Sequence, residues 1–387
     1  MKRKVCIVTG TRADWGLLSG IAQALNKRDD VTLQIIATNM HLDEKFGNTW
    51  QEIENDGLRI DYRVPMPTDT NTPAGTVNAM AECMKGMSDA FSSLQPHILL
   101  ILGDRYEMLA VAATALIHRI PVAHLHGGEV TQGAFDESIR HSITKMSHLH
   151  FTSTEEARNR VIQLGENPAH VFNTGAIGVY NIVNTDFLSR EELENNLGTS
   201  IPDKSIFVTF HPSTLDDVTP RTQCQNLLKA LEQFGDYNIL FSYPNNDPSG
   251  QVIINLIEEF IARHPERGKI FPSLGARRYL SVVKCVSAVV GNSSSGIIEV
   301  PSLHTPSLNI GIRQQGRQRA KSVIDCGVSY DEICAGLEQV LSDDAATLAK
   351  TVKNPYEQAD TLNKIVTIVA THPLDNIIQK PFHDITQ

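Results

Sequence analysis

The 387-residue sequence predicts an α/β chain of two similar halves, each a mostly parallel, doubly wound sheet covered by helices. Three observations carry that expectation. Short β-rich apolar runs alternate with helical stripes, the alternation restarts near residue 206, and turns bearing Gly, His or Arg follow the strands. At ~150 residues per domain, the length also calls for more than one. With 41% hydrophobic and 20% charged residues, the chain has enough apolar side chains for real cores.

In the first half, Val5–Thr9, Leu33–Ala37, His97–Leu102 and Val122–Leu125 read as strands of a buried parallel sheet. Leu18, Ile21, Ala22 and Leu25 form a helical stripe between them, as do Met108, Val111, Ala112 and Ala115. The second half repeats the scheme with Ile206–Phe210, Ile239–Ser242, Lys269–Phe271 and Ala288–Val290. Residues 175–204, with Gly175, Gly178 and a Glu-rich stretch ending at Pro202, read as a linker. The expected division is 1–178, 179–370 and a tail, 371–387, that packs back on the first half, with the two halves facing one cleft. Open α/β sheets bind ligands beyond the carboxyl ends of their strands, so the turns there are the place to look for chemistry.

A net charge of −10 without a long basic run argues against nucleic acid or an acidic membrane surface as the main partner. It leaves room for a small anionic ligand held by a few arginines. The basic start is broken by Thr9, Thr11, Arg12 and Asp14, so no signal peptide is expected, and no run approaches the ~18 apolar residues of a membrane span. Six scattered cysteines without a Cys-x-x-Cys pair read as reduced thiols, which fits the cytoplasm.

Arg12, in the turn Thr9–Asp14, and the pair Asp104–Arg105 each follow a strand. The arginine fork suits a diphosphate, and adjacent opposite charges are costly to bury without purpose. His124-Leu125-His126-Gly127-Gly128-Glu129 follows the next strand; proton transfer is a better use of His and Glu beside an open glycine turn than a metal site, because no further ligand has zinc spacing. Asp136 opens a helix, as an N-cap or as an acid of the site. In the second half His211 follows a strand, and Gly291-Asn292-Ser293-Ser294-Ser295-Gly296 joins a strand to a helix carrying Glu299. Backbone N–H groups and hydroxyls there suit phosphate, and Glu299 suits ribose hydroxyls. Arg313 lies after a further strand. No Gly-Lys-Ser/Thr loop is present, which argues against triphosphate hydrolysis.

Taken in order over roughly residues 4–320, these segments resemble the hydrolysing UDP-N-acetylglucosamine 2-epimerases of sialic acid synthesis. The resemblance implies a glycosyltransferase-B-like fold of two Rossmann-like domains, and conversion of UDP-N-acetylglucosamine and water to N-acetylmannosamine and UDP through a 2-acetamidoglucal. It implies no cofactor and no metal, a homodimer or homotetramer, and UDP held mainly by the second domain. Arg12, Arg105, His211, Asn245, Ser293, Ser294, Ser295, Glu299 and Arg313 are then the expected UDP and substrate residues, and Asp104 and Asp136 the catalytic acids. Several relatives carry Glu where this chain has His126, so either His126 or Glu129 takes that proton-transfer role. Relatives acting on UDP-diacetamido-trideoxy sugars more often resemble the Glu form, which favours N-acetylglucosamine here. A glycosyltransferase would need an acceptor site, and a nucleotide-sugar sensor would not need Asp104 and Asp136.

Overall fold

The computed structural model describes residues 2–68, 72–130, 136–212, 218–244, 250–271 and 274–385. Among the described residues, thirteen strands form two parallel sheets. The first contains β1 (Arg3–Thr9), β2 (Val31–Thr38), β3 (Tyr62–Val64), β4 (Ile98–Leu102), β5 (Val122–Leu125), β6 (Leu149–Thr152) and β7 (Val171–Asn173), in the order β3-β2-β1-β4-β5-β6-β7. The second contains β8 (Ser205–Thr209), β9 (Asn238–Ser242), β10 (Gly268–Phe271), β11 (Ala288–Gly291), β12 (Ser307–Ile310) and β13 (Val323–Cys326), in the order β10-β9-β8-β11-β12-β13. Both orders reverse direction once, between β1 and β4 and between β8 and β11. Those are the points where a doubly wound sheet opens a crevice for a ligand.

Apolar runs form these strands because both faces of each sheet are covered. Along β1, Val5 and Ile7 enter one core while Cys6 and Val8 enter the other. Along β8, Ile206 and Val208 face one layer and Phe207 the opposite one. Side chains two residues apart share a face, so a continuous apolar strand feeds two cores at once.

The chain divides into two compact units. One takes the described residues of Met1–Glu129, Ala134–Asn181 and Gln358–Gln387; the other takes those of Val130–Gly133 and Ile182–Glu357. The chain therefore rejoins the first unit at Gln358, earlier than the expected residue 371. The helix Thr361–Thr371 buries Ile365, Val366, Val369 and Ala370 in the core that holds Leu18 and Leu25, which is why it belongs there. Residues 175–204 also differ from the expected linker, since they contain the helices Ile177–Val183 and Arg190–Leu197. The second is closed by a capping box in which Ser189 and Glu192 satisfy each other's backbone N–H groups.

No helix of the described residues is long and apolar enough to cross a membrane. All six cysteines are free thiols, and burial pushes Cys83 and Cys224 up to about 12.

Candidate active site and nucleotide cradle

The carboxyl edge of the first sheet gathers interlocked charges. Arg140, buried on the helix Asp136–Met146, is the hub. Its guanidinium donates to the Asp104 carboxylate just past β4, to the Glu129 backbone carbonyl at 2.7 Å and to Glu137 at 3.2 Å. One cation thus ties together the end of β4, the turn after β5 and the helix that Asp136 opens. The Asp136 carboxyl is shifted above the usual carboxylate range, by burial first and then by the charge of Asp104. The charge of Asp104 thus helps Asp136 keep its proton.

Beside this pair, Arg105 Nε donates to Glu107 Oε1 at 2.6 Å, and Glu107 is fully buried. Burial disfavours the Arg105 charge, but Glu107 more than offsets it and the group holds its proton more tightly than usual. Asp14 is pushed up to about 6 by burial and then by Glu107. Arg12 is separate from this group. Its side chain is 64% exposed and pairs with Glu52 at 3.0 Å.

The two histidines of the β5 turn behave differently. His124 is buried, its Nε2 lies 2.8 Å from the Gly103 carbonyl, and burial drives it down to about 3. It is a neutral strut joining β5 to the end of β4. His126 sits one residue past β5 in the left-handed region, at φ 66°, and its backbone N–H still bonds Phe151 of β6. Its Nδ1 lies 2.8 Å from Glu129 Oε1, which also accepts from Ser153 Oγ at 2.8 Å. The chain turns this sharply because Gly128 adopts φ 76°, where a side chain would collide with the Ala157 carbonyl. Among the described residues, no group of three or more His, Cys, Asp or Glu is placed to hold a metal ion.

The second sheet's edge is framed by neutral groups beside the Arg313 guanidinium. Gly291 ends β11 at φ 144°, and any Cβ there would strike the Thr209 carbonyl of β8, so only glycine lets these strands close up. Asn292, also buried, brackets the backbone of His211. It accepts from the His211 N–H at 2.7 Å and donates to the His211 carbonyl at 2.9 Å. Its own carbonyl accepts from Arg313 Nη1 at 3.2 Å and Gln314 Nε2 at 3.0 Å. The ends of β8, β11 and β12 are thereby locked together. Burial, and then the charge of Arg313, lowers His211 to about 4, so the imidazole is neutral at pH 7.

Next to these ends lies a depression lined by Thr209, Tyr279, Gly291, Ser293, Gly296 and Asn309. Ser294 precedes the short helix Ser295–Ile298. The Ser295 hydroxyl lies 2.5 Å from both Tyr279 Oη and Glu299 Oε2. Burial raises the Glu299 carboxyl, and the bond from Ser295 works against that shift. Ser295 is thus committed to an internal chain, whereas Ser293 lines the depression. Asn245 lies outside the described residues.

The structure therefore brings Asp104, Asp136, His126 and Glu129 together around Arg140, and Arg105 around Glu107. In the second unit it joins His211 and Arg313 through Asn292, with Ser293 and Glu299 nearby. Sequence reasoning did not single out Arg140, Glu107, Asp14, Ser153, Asn292 or Tyr279. The four-residue spacing of Asp136 and Arg140 was a readable signal for the hub, since it puts both on one helix face.

Two Rossmann-like sheets, each with ligand-type turns at its switch point, define an α/β protein of the glycosyltransferase-B-like class. A family profile described as UDP-N-acetylglucosamine 2-epimerase matches residues 23–370, and the chain belongs to that family. It is 39% identical over 385 residues to the GDP/UDP-N,N'-diacetylbacillosamine 2-epimerase (hydrolyzing) of Campylobacter jejuni, covering 99% of this chain and 100% of the relative. It is 37% identical to the polysialic acid biosynthesis protein P7 of Escherichia coli, over 100% of this chain and 98% of that protein. Identity to the UDP-N,N'-diacetylbacillosamine 2-epimerase (hydrolyzing) of Legionella pneumophila is 35%, with 98% of each chain covered. Among solved structures, the UDP-GlcNAc 2-epimerase of Neisseria meningitidis bound to UDP-GlcNAc superposes with a TM-score of 0.78. It is 17% identical and covers 95% of this chain and 99% of that one, a likeness of fold.

Proposed function

We propose that this chain is a hydrolysing 2-epimerase of a UDP-linked 2-acetamido sugar, releasing UDP and the free sugar inverted at carbon 2. The observation that carries the reading is the Asp104–Arg140–Asp136 cluster with His126 beside it. It sets the Asp104 side chain bonded to a guanidinium, a carboxyl inclined to keep its proton and an imidazole around one strand edge. Such a set serves a reaction that removes one proton and delivers another. In the first step the C2–H bond breaks, its electron pair forms the C1=C2 bond and the C1–O bond electrons leave with UDP. In the second, water gives its hydroxyl to C1 and its proton to a base, while an acid supplies a proton to C2 from the opposite face. Asp136 suits the acid because burial and Asp104 favour its protonated form. His211, Ser293, Ser294, Glu299 and Arg313 suit the nucleotide, with Arg313 opposing the charge of the departing diphosphate.

For the sugar, the names of the Campylobacter and Legionella relatives support a UDP-2,4-diacetamido-2,4,6-trideoxyhexose. That outweighs the preference for UDP-N-acetylglucosamine drawn from His126, which becomes the second reading. The test offers each donor separately to purified protein with chelator and without an acceptor, and follows products by NMR in D2O. Faster UDP release from the diacetamido donor, with deuterium at C2 of the free sugar, is expected. UDP release that begins only after an acceptor alcohol is added would make the chain a transferase.

A further inference from the structure

We infer that Glu129 is a positioning residue, not a proton carrier, and that His126 Nε2 is the atom that takes the C2 proton; this rests on the 2-epimerase reading. The hydrogen bonds fix the direction. A carboxylate oxygen only accepts, so the 2.8 Å contact between His126 Nδ1 and Glu129 Oε1 puts the imidazole proton on Nδ1. In the neutral ring the lone pair is then on Nε2. That nitrogen is buried and has no hydrogen-bond partner among the described residues. A buried imidazole nitrogen left without a partner is costly in a finished protein, and a substrate that supplies one removes the cost.

Three further features hold this ring in place. Ser153 donates to the same Glu129 oxygen at 2.8 Å, and Arg140 holds the Glu129 carbonyl at 2.7 Å. The left-handed backbone at His126, φ 66°, is a conformation that a non-glycine residue keeps only when its surroundings impose it. Ser153 on the residue after β6, Glu129 and His126 therefore form a chain that ends at Nε2. When the C2–H bond breaks, its electron pair moves into the C1=C2 bond, the C1–O bond electrons leave with UDP and the proton ends on Nε2. The ring becomes an imidazolium whose new charge lies against the Glu129 carboxylate, and it returns the proton to solvent. Glu129 neither gains nor loses a proton in this step.

Two measurements test the assignment. The first is the ¹⁵N spectrum of histidine-labelled protein, with the His126 ring assigned by its loss in His126→Gln. In the neutral ring the proton is expected on Nδ1 with Nε2 bare, and a neutral ring that carries its proton on Nε2 overturns the proposal. The second is a double-mutant cycle on turnover. Glu129→Ala should lower kcat about 30-fold or more while KM changes less than about threefold. Added to His126→Ala, it should cost almost nothing more, because a residue acting only through another has no effect once that other is gone. Multiplying losses would show that Glu129 acts independently. If the wild-type protein releases UDP from neither donor, the 2-epimerase reading falls, while the ring spectrum still reports whether Glu129 sets the tautomer.

Discussion

Around the end of β4, Asp14, Asp104, Glu107 and Asp136 meet Arg105 and Arg140, and the pKa of Asp14 and Asp136 depends on neighbouring charge. Around the ends of β8 and β11 the same topology is finished with Thr209, Asn292, Ser293 and Tyr279, a neutral His211 and the cation of Arg313. Apart from the extra edge strand β7 the two sheet orders match around their switch points, so the difference there lies in what the turns carry. A set of mutually shifting charges is suited to moving protons, because a small rearrangement changes which member holds one. A neutral frame with a cation is suited to holding an anion in one orientation without titrating. Topology supplies the location, and the side chains divide the labour.

The largest effect that would break this contrast comes from the charged edge. Asp104→Asn and Asp136→Asn should each lower turnover ~100-fold or more, the usual scale of a lost acid or base. UDP affinity by calorimetry should stay within about twofold. A parallel loss of UDP binding would erase the division.

Next in size is a buried carboxylate of the first unit. Glu166, 1% exposed, contacts Lys145 at 2.6 Å, His150 at 2.9 Å and Lys380 at 2.9 Å. Burial pushes its carboxyl up, but these partners outweigh burial and bring it down to about 2. Glu166→Ala should lower stability by ~1–3 kcal/mol, because buried His150 loses its acceptor while Lys380 keeps only the Lys145 and Ser147 carbonyls. A carboxyl held below its unfolded value stabilises above that value, so the contribution fades as pH falls from about 4.5 toward about 2. Chemical denaturation across that window should show the slope in wild type and lose it in Glu166→Gln.

Changes of similar size belong to the neutral edge. Arg313→Ala and His211→Ala should each weaken UDP binding by ~1–3 kcal/mol, the range for a bond to a charged group. Calorimetry with UDP alone reads this, and unchanged affinity in both would move the nucleotide elsewhere. Smallest of all, Arg12→Ala should change stability by ~0–1 kcal/mol, since its pair with Glu52 is exposed. Because the fold is then undisturbed, any loss of UDP affinity in this variant would extend the nucleotide contacts to the first unit.

Eight strands could be bounded, and a ninth placed before Arg313, because most are compact apolar runs that feed two cores, as Val5–Thr9 and Ile206–Phe210 do. The strands β3, β6 and β7 span three or four residues, and His150, Arg63 and Asn173 interrupt their apolar pattern, so periodicity had nothing to act on. The helix Arg190–Leu197 was readable from Ser189-x-x-Glu192 but was hidden by its polar composition. In the site, residues next to glycine turns stood out, whereas Arg140 looked like one more charge on an amphipathic helix. Its burial depends on Asp104, 36 positions away in the chain, and that is tertiary information.

The return of the chain at Gln358 bears on synthesis. Translation delivers all seven strands of the first sheet before any strand of the second. Yet Arg3 of β1 has to wait for Val369, whose carbonyl it bonds at 3.0 Å, and the Glu166 carboxylate has to wait for Lys380. At ~5–20 residues per second, the ribosome leaves that sheet without its last helix for on the order of ten seconds or more. Throughout that interval the apolar face meant for Ile365, Val366 and Val369 is open, and a nascent chain in that state is a natural client for a chaperone.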